Sequence, residues 1–296
     1  MPRTSQDRHL GSLRPHRRGT GDPSFRVAED GAVWRASYTP DGPGTLRVPT
    51  RGEPEAWGPG AGWLLAGVPA LLGAQDDPGA LTALLDGADP ALVRVVRDAA
   101  GKHPGLRIGR SNRVFEALVP AVLEQKVPSK EAWRSWSYLL RRFGEAAPGA
   151  PELRVPPPPE VWARIPSWEW HRSGAEAVRA RTIMNAARVA SRLEAPATPA
   201  ELDRRLRSLP GVGVWTSAEV RQRALGDPDA VSVGDYHLSG HVGWAMVGRK
   251  VDDAGMLELL EPYAGQRHRV SILLLLAGAG PPRRGPRMPV RDYRSF

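Results

Sequence analysis

Residues 208–220 read SLPGVGVWTSAEV and residues 227–245 read DPDAVSVGDYHLSGHVGWA. In the first stretch a helix is expected to end near Leu209. Pro210, Gly211, Val212 and Gly213 then form a tight turn, and a new helix opens around Trp215. Two glycines one residue apart permit positive φ and leave no Cβ in the way of a partner. The free N–H groups at the start of the second helix point outward together, beside the positive end of its dipole, which suits a phosphate. Such a contact adds affinity without reading sequence. Pro210, Gly211, Val212, Gly213 and Thr216 are the candidate phosphate-binding residues, although an unliganded turn between helices uses the same residue types. In the second stretch AVSV is short and apolar, Gly234 interrupts it, and Asp235 stands where a helix would begin. Taken alone, Asp235 is explained by capping, since an Asp at that place accepts backbone N–H bonds.

Composition limits what these residues could serve. In 296 residues, 41 Lys and Arg face 32 Asp and Glu, a net charge of +9. That bias suits a polyanionic partner, and Arg-rich, Ala/Gly/Pro-rich usage is equally what a GC-rich genome produces. Cysteine is absent, which excludes disulfides, cysteine-ligated zinc, iron–sulfur clusters and thiol catalysis. The seven histidines are read as showing no H-x-x-x-H pattern or carboxylate cluster that would suggest a catalytic metal, and no cofactor is required. The most apolar run, VSILLLLAGAG at 270–280, is far short of the ~20 residues of a membrane span. The N-terminus carries charge without an apolar segment, so no secretory signal is expected. A cytoplasmic monomer is the expectation, with no membrane contact and no deducible protein partner.

The elements that must position the turn and the acid follow from periodicity. Residues 1–24 are basic, punctuated by Gly and Pro and without periodicity, and read as a disordered arm. From Phe25 to residue 76, short alternating stretches separated by Asp30-Gly31 and Asp41-Gly42 read as antiparallel hairpins. Helical periodicity then runs from 77 to 280. It gives helices at about 111–126 and 129–143, with Ser129 as a candidate N-cap. A stiff proline-rich connector follows at 145–160, then one long helix across 173–195. Thr198 with Glu201 forms a capping-box pattern. Residues 281–296 are a basic tail. The expected fold is mainly α (α+β): a helical domain in two lobes behind a small N-terminal antiparallel sheet. Trp133, Trp136, Trp162, Trp168, Trp170 and Trp244 are expected in the core. Trp215 alone should face the site. His171 and Arg172 are candidate rim residues without a motif.

The LPGVG turn, its helix and the downstream Gly-Asp resemble the helix-hairpin-helix DNA glycosylase superfamily, with the hairpin at about 200–225. HPGLRIGRSNRVFEALVPAVLEQKVPS at 103–129 and LPGVGVWTSAEV resemble its 3-methyladenine DNA glycosylase II branch. A front sheet before a helical body is that branch's architecture. The resemblance covers roughly 25–280, with its strongest parts at 103–143 and 205–240.

The resemblance implies a base-excision repair enzyme that flips an alkylated base out of double-stranded DNA and hydrolyses its N-glycosidic bond. It makes Asp235 the catalytic carboxylate, stabilising positive charge on the sugar and orienting water. It gives the hairpin a DNA phosphate, with Na+ or K+ on the carbonyls of Leu209 and Val212. It places Gln125, Lys126, Trp215, Tyr236, His268 and Arg269 at the base pocket or at the wedge that fills the emptied stack, the wedge falling on or beside Lys126. Bifunctional relatives carry a Schiff-base lysine where this chain has Val214, Trp215 and Thr216, so a monofunctional enzyme without lyase chemistry is expected. Where an aromatic commonly lines the base pocket, this chain has Ala218 and Glu219. That departure keeps two alternatives open: a glycosylase-fold DNA-binding protein with weak or no catalysis, and a glycosylase of other damaged bases.

Overall fold

A computed structural model describes residues 11–278 and 280–281. Its front is a four-stranded antiparallel sheet in the order β1 (Phe25–Val27), β2 (Val33–Thr39), β3 (Gly42–Val48) and β4 (Glu55–Trp57). The register pairs Phe25 with Arg35 and Thr39 with Gly42, so Pro40 and Asp41 alone close the central hairpin. One face buries Phe25, Val33, Leu46 and Val48 against Leu64, Val68 and Leu71 of α1 (Ala61–Leu71). A buried ion pair, Arg35 to Glu116 at 2.5 Å, ties this sheet to the helical body.

The helices have two separate apolar cores. The first joins α4 (Val114–Leu123), α5 (Ser129–Phe143), α6 (Pro159–Trp162), α7 (Ser167–Ser173), α8 (Ala177–Arg188), α9 (Ala190–Glu194), α10 (Pro199–Arg207) and α11 (Val214–Ala224). The second joins α2 (Gly79–Asp86) and α3 (Pro90–Lys102), which precede that lobe, to α12 (Leu238–Val247), α13 (Asp253–Leu260) and α14 (Arg267–Leu276), which follow it. The chain therefore crosses from one core to the other immediately after α11, along the segment that carries Asp235. Among the described residues no helix is long and apolar enough to cross a membrane.

Several expectations are corrected. Residues 11–24, read as part of a disordered arm, are instead a strap between the sheet and the helices. Leu13 is fully buried in the sheet core. Ser12 donates to the carbonyls of Leu72 and Arg107, and Trp136 Nε1 donates to Asp22 at 3.0 Å. The polar composition hid this because the strap is held mainly by side-chain hydrogen bonds, which leave no periodicity. Residues 1–10 of that expected arm lie outside the described residues, as do 282–296 of the expected tail.

Residues 145–155 of the expected connector at 145–160 are instead a hairpin, β5 (Glu145–Ala147) with β6 (Ala150–Val155). Its Ala147, Ala150, Leu153 and Val155 pack on Ala36, with Trp34 and Tyr38 alongside. The long helix expected at 173–195 breaks at Val189, whose φ of −119° is not helical. The break turns α9 so that Glu194 accepts N–H bonds from Val114 and Phe115 at 2.9 Å each, capping α4 from a distance. Ser129 begins α5 but supplies no side-chain cap. The Thr198–Glu201 capping box is present as expected. Trp168, expected in the core, is 61% exposed on α7, beside the exposed His171 and Arg172.

Candidate active site

The hairpin turn lies between α10 and α11. Its two glycines differ in kind. Gly211 has φ +87°, and a Cβ there would collide with the Thr182 hydroxyl of α8, so the fold itself requires glycine. Gly213 has φ −97°, which any residue adopts, and a Cβ there would meet nothing within 4 Å. Packing therefore gives no reason for Gly213, whereas close approach by an outside partner does. The Ser217 N–H to Gly213 carbonyl bond, at 3.0 Å, is the one that caps the start of α11. The N–H groups of Val214, Trp215 and Thr216 come before it and have no acceptor in the helix. Gly211, Gly213 and Val214 are exposed there.

Three carbonyls of the turn are engaged internally. Leu209 accepts the Val212 N–H at 3.0 Å, Pro210 accepts the Thr182 hydroxyl, and Gly211 accepts the Gln125 amide at 2.9 Å. Gln125 also donates to Thr216 Oγ1 at 2.8 Å. It thus pins the loop after α4 against the hairpin, which is the place of this residue in the site. Next to it Lys126 is exposed and holds φ +55°, a left-handed conformation uncommon outside glycine. Such local strain persists only where surrounding contacts impose it. The adjoining Gln125, bonded to Gly211 and Thr216, fixes the chain just before Lys126.

Asp235 follows an extended segment after α11. The expected helix start is displaced, since α12 begins at Leu238. Asp235 Oδ1 accepts from the His237 and Leu238 N–H groups at 2.8 and 2.9 Å. Among the described residues Oδ2 accepts a single long bond, 3.4 Å, from the Trp215 indole. The two oxygens therefore differ: Oδ1 fixes the carboxylate to the backbone before α12, and Oδ2 lies within reach of the Trp215 indole at the start of α11. Tyr236 beside it is 84% exposed. His237 and His241, one turn apart, extend Tyr236 as an edge-to-face series. They form an H-x-x-x-H pair, which corrects the expectation that the histidines show no such pattern. No three metal-ligating side chains converge among the described residues.

Deeper along α11 the chemistry is ionic. Glu219 accepts from Arg223 at 2.7 Å and from Ser232 Oγ at 2.5 Å. Burial pushes its carboxyl up, but Arg223, the two hydrogen bonds and His268 outweigh that and hold it below the ordinary value. His268 is driven down to about 3, mainly by burial, so its imidazole is neutral at pH 7. Arg269, expected at the pocket, is 2% exposed and bound to Asp76 and Gln266. It braces the second lobe instead.

The solved 3-methyladenine DNA glycosylase of Archaeoglobus fulgidus superposes with a TM-score of 0.73, covering 91% of this chain and 94% of that one at 17% identity. The two chains share one fold. An 8-oxoguanine glycosylase/lyase of Clostridium acetobutylicum shares the glycosylase fold with a TM-score of 0.67, 13% identity and coverage of 90% and 91%. In sequence, 173 residues are 35% identical to a probable bifunctional transcriptional activator/DNA repair enzyme AlkA of Mycobacterium tuberculosis, covering 57% of this chain. That match takes in 34% of the relative, so the chain spans about a third of the length of the curated proteins it matches. No family model matches the chain.

Proposed function

We propose that the protein is a DNA glycosylase that flips a damaged base from duplex DNA and hydrolyses its N-glycosidic bond. The observation that carries this reading is Asp235, fixed through Oδ1 by the His237 and Leu238 N–H groups, with Oδ2 held by no more than a long 3.4 Å bond from the Trp215 indole at the start of α11. The hairpin amides hold a backbone phosphate, and Lys126 reaches into the duplex beside them, its aliphatic stem filling the emptied stack. The bond from C1′ to the base nitrogen breaks with its electron pair leaving on the base. Positive charge then develops on the sugar, where a fixed carboxylate stabilises it. A water oriented by Asp235 adds to C1′ and gives its proton to that carboxylate, which releases it to solvent, leaving an abasic site and the neutral free base.

No amine stands at Val214, Trp215 or Thr216, so the chain has no nucleophile there for a Schiff base and the enzyme is read as monofunctional. The substrate class is an alkylated purine of the 3-methyladenine type, whose cationic ring is already a good leaving group. A monovalent cation on the Leu209 and Val212 carbonyls belongs to the same proposal, sharing the Leu209 oxygen with its turn bond. A panel of duplexes carrying alkylated, deaminated or oxidised bases tests the reading by free-base release and strand integrity. Release of alkylated purines with unbroken strands is expected. Strand cleavage trapped by borohydride overturns the monofunctional assignment, and release of none overturns the enzyme.

A further inference from the structure

One carboxylate near Asp235 is used neither by the phosphate grip nor by the bond-breaking step. Glu219 lies one turn after Trp215 on α11, with its side chain 12% exposed. The segment from α11 to Asp235 alternates: Val231 and Val233 turn to the second core, and Ser232 turns to α11. The Ser232 hydroxyl donates to Glu219 at 2.5 Å, and its carbonyl accepts the Asp235 N–H at 3.1 Å. Gln222 holds the same segment through Ser232 Oγ at 2.9 Å and the Ala230 carbonyl at 2.7 Å. Arg223, paired with Glu219, donates from Nε to the Pro15 carbonyl of the strap at 3.1 Å. A hydrogen-bonded series thus runs from the strap through Arg223, Glu219 and Ser232 to the backbone of Asp235.

We propose that Glu219 is a positioning residue for Asp235, fixing through Ser232 the backbone that aims the catalytic carboxylate. The proposal rests on the glycosylase reading. Glu219 occupies the place where an aromatic was expected, and its commitment to Ser232 and Arg223 explains why a carboxylate stands there. Charge-assisted bonds of this kind are short and strong. They hold a segment that has no strand partner of its own.

Single-turnover base release from alkylated duplex DNA, measured beside DNA affinity, tests the proposal with Glu219→Gln and Ser232→Ala. Ser232→Ala removes one hydroxyl and guards against misfolding caused by the charge change. Each variant is expected to lose about 10- to 100-fold in release rate with DNA affinity within about twofold, as small misplacements of a reacting group do. The double variant should lose no more than the worse single one, because both cut the same link. Release unchanged in both variants, losses confined to affinity, or fully additive losses overturn the positioning role. If wild type releases base, Asp235→Asn does not and Glu219→Gln does, the positioning proposal alone falls. If wild type releases nothing, the glycosylase reading falls and takes the proposal with it.

Discussion

Gly211 and Gly213 look equivalent in sequence and part company in three dimensions. The first is demanded by a left-handed backbone and by Thr182; the second faces open space. Gly211→Ala should therefore destabilise the fold by about 1–3 kcal/mol, the scale of a strained non-glycine backbone plus a clash. Gly213→Val should leave the melting temperature unchanged while weakening duplex binding, as read by calorimetry and by fluorescence anisotropy. Unaltered binding in Gly213→Val would remove the phosphate from the hairpin. Lys126 acts at the same scale. Lys126→Ala removes the stem that fills the emptied stack, so it should weaken duplex binding on any sequence, read by the same anisotropy.

At the scale of elements, α4 depends on a cap from far along the chain. Glu194 supplies two acceptors to its first N–H groups, so Glu194→Ala should cost about 1 kcal/mol or more, as lost caps do, read as a lower denaturation midpoint. The hairpin, its flanking helices and the acid were legible because glycine, proline and a capping aspartate act locally. The break at Val189, the β5–β6 hairpin and the strap were not, because partners distant in sequence create them. Glu194 reaches α4, Ala147 and Ala150 need Ala36, and Leu13 needs the sheet core. The same division runs through the site. Asp235 and Trp215 stood out by position, whereas Glu219, Ser232 and the structural commitment of Arg269 required the tertiary contacts. The positive φ of Lys126 left no mark on the sequence.

For the whole molecule, charge and pH carry the testable consequences. Burial, with Arg35, Arg18 and Arg223 nearby, holds His16 well below its ordinary value, and His268 is driven to about 3. As pH falls below the unfolded-state value of about 6.5, the unfolded chain takes up protons that these folded imidazoles refuse, so stability falls with it. Thermal melts between pH 7 and pH 5 should show this loss, and His268→Gln should flatten it; an unchanged slope would contradict the burial of a neutral imidazole. If the proposed hairpin grips phosphate, duplex affinity should fall with salt as that contact releases counterions.

The central claim is that Asp235 performs the chemistry while the hairpin only grips the DNA. Asn caps a helix as well as Asp does, so Asp235→Asn keeps the bonds to His237 and Leu238 and removes only the charge. The decisive measurement is single-turnover release of an alkylated purine from duplex DNA by wild type and by Asp235→Asn, with DNA affinity measured on the same samples. The account predicts release by wild type, its loss in the variant, and equal affinity. Equal release by both proteins would contradict it.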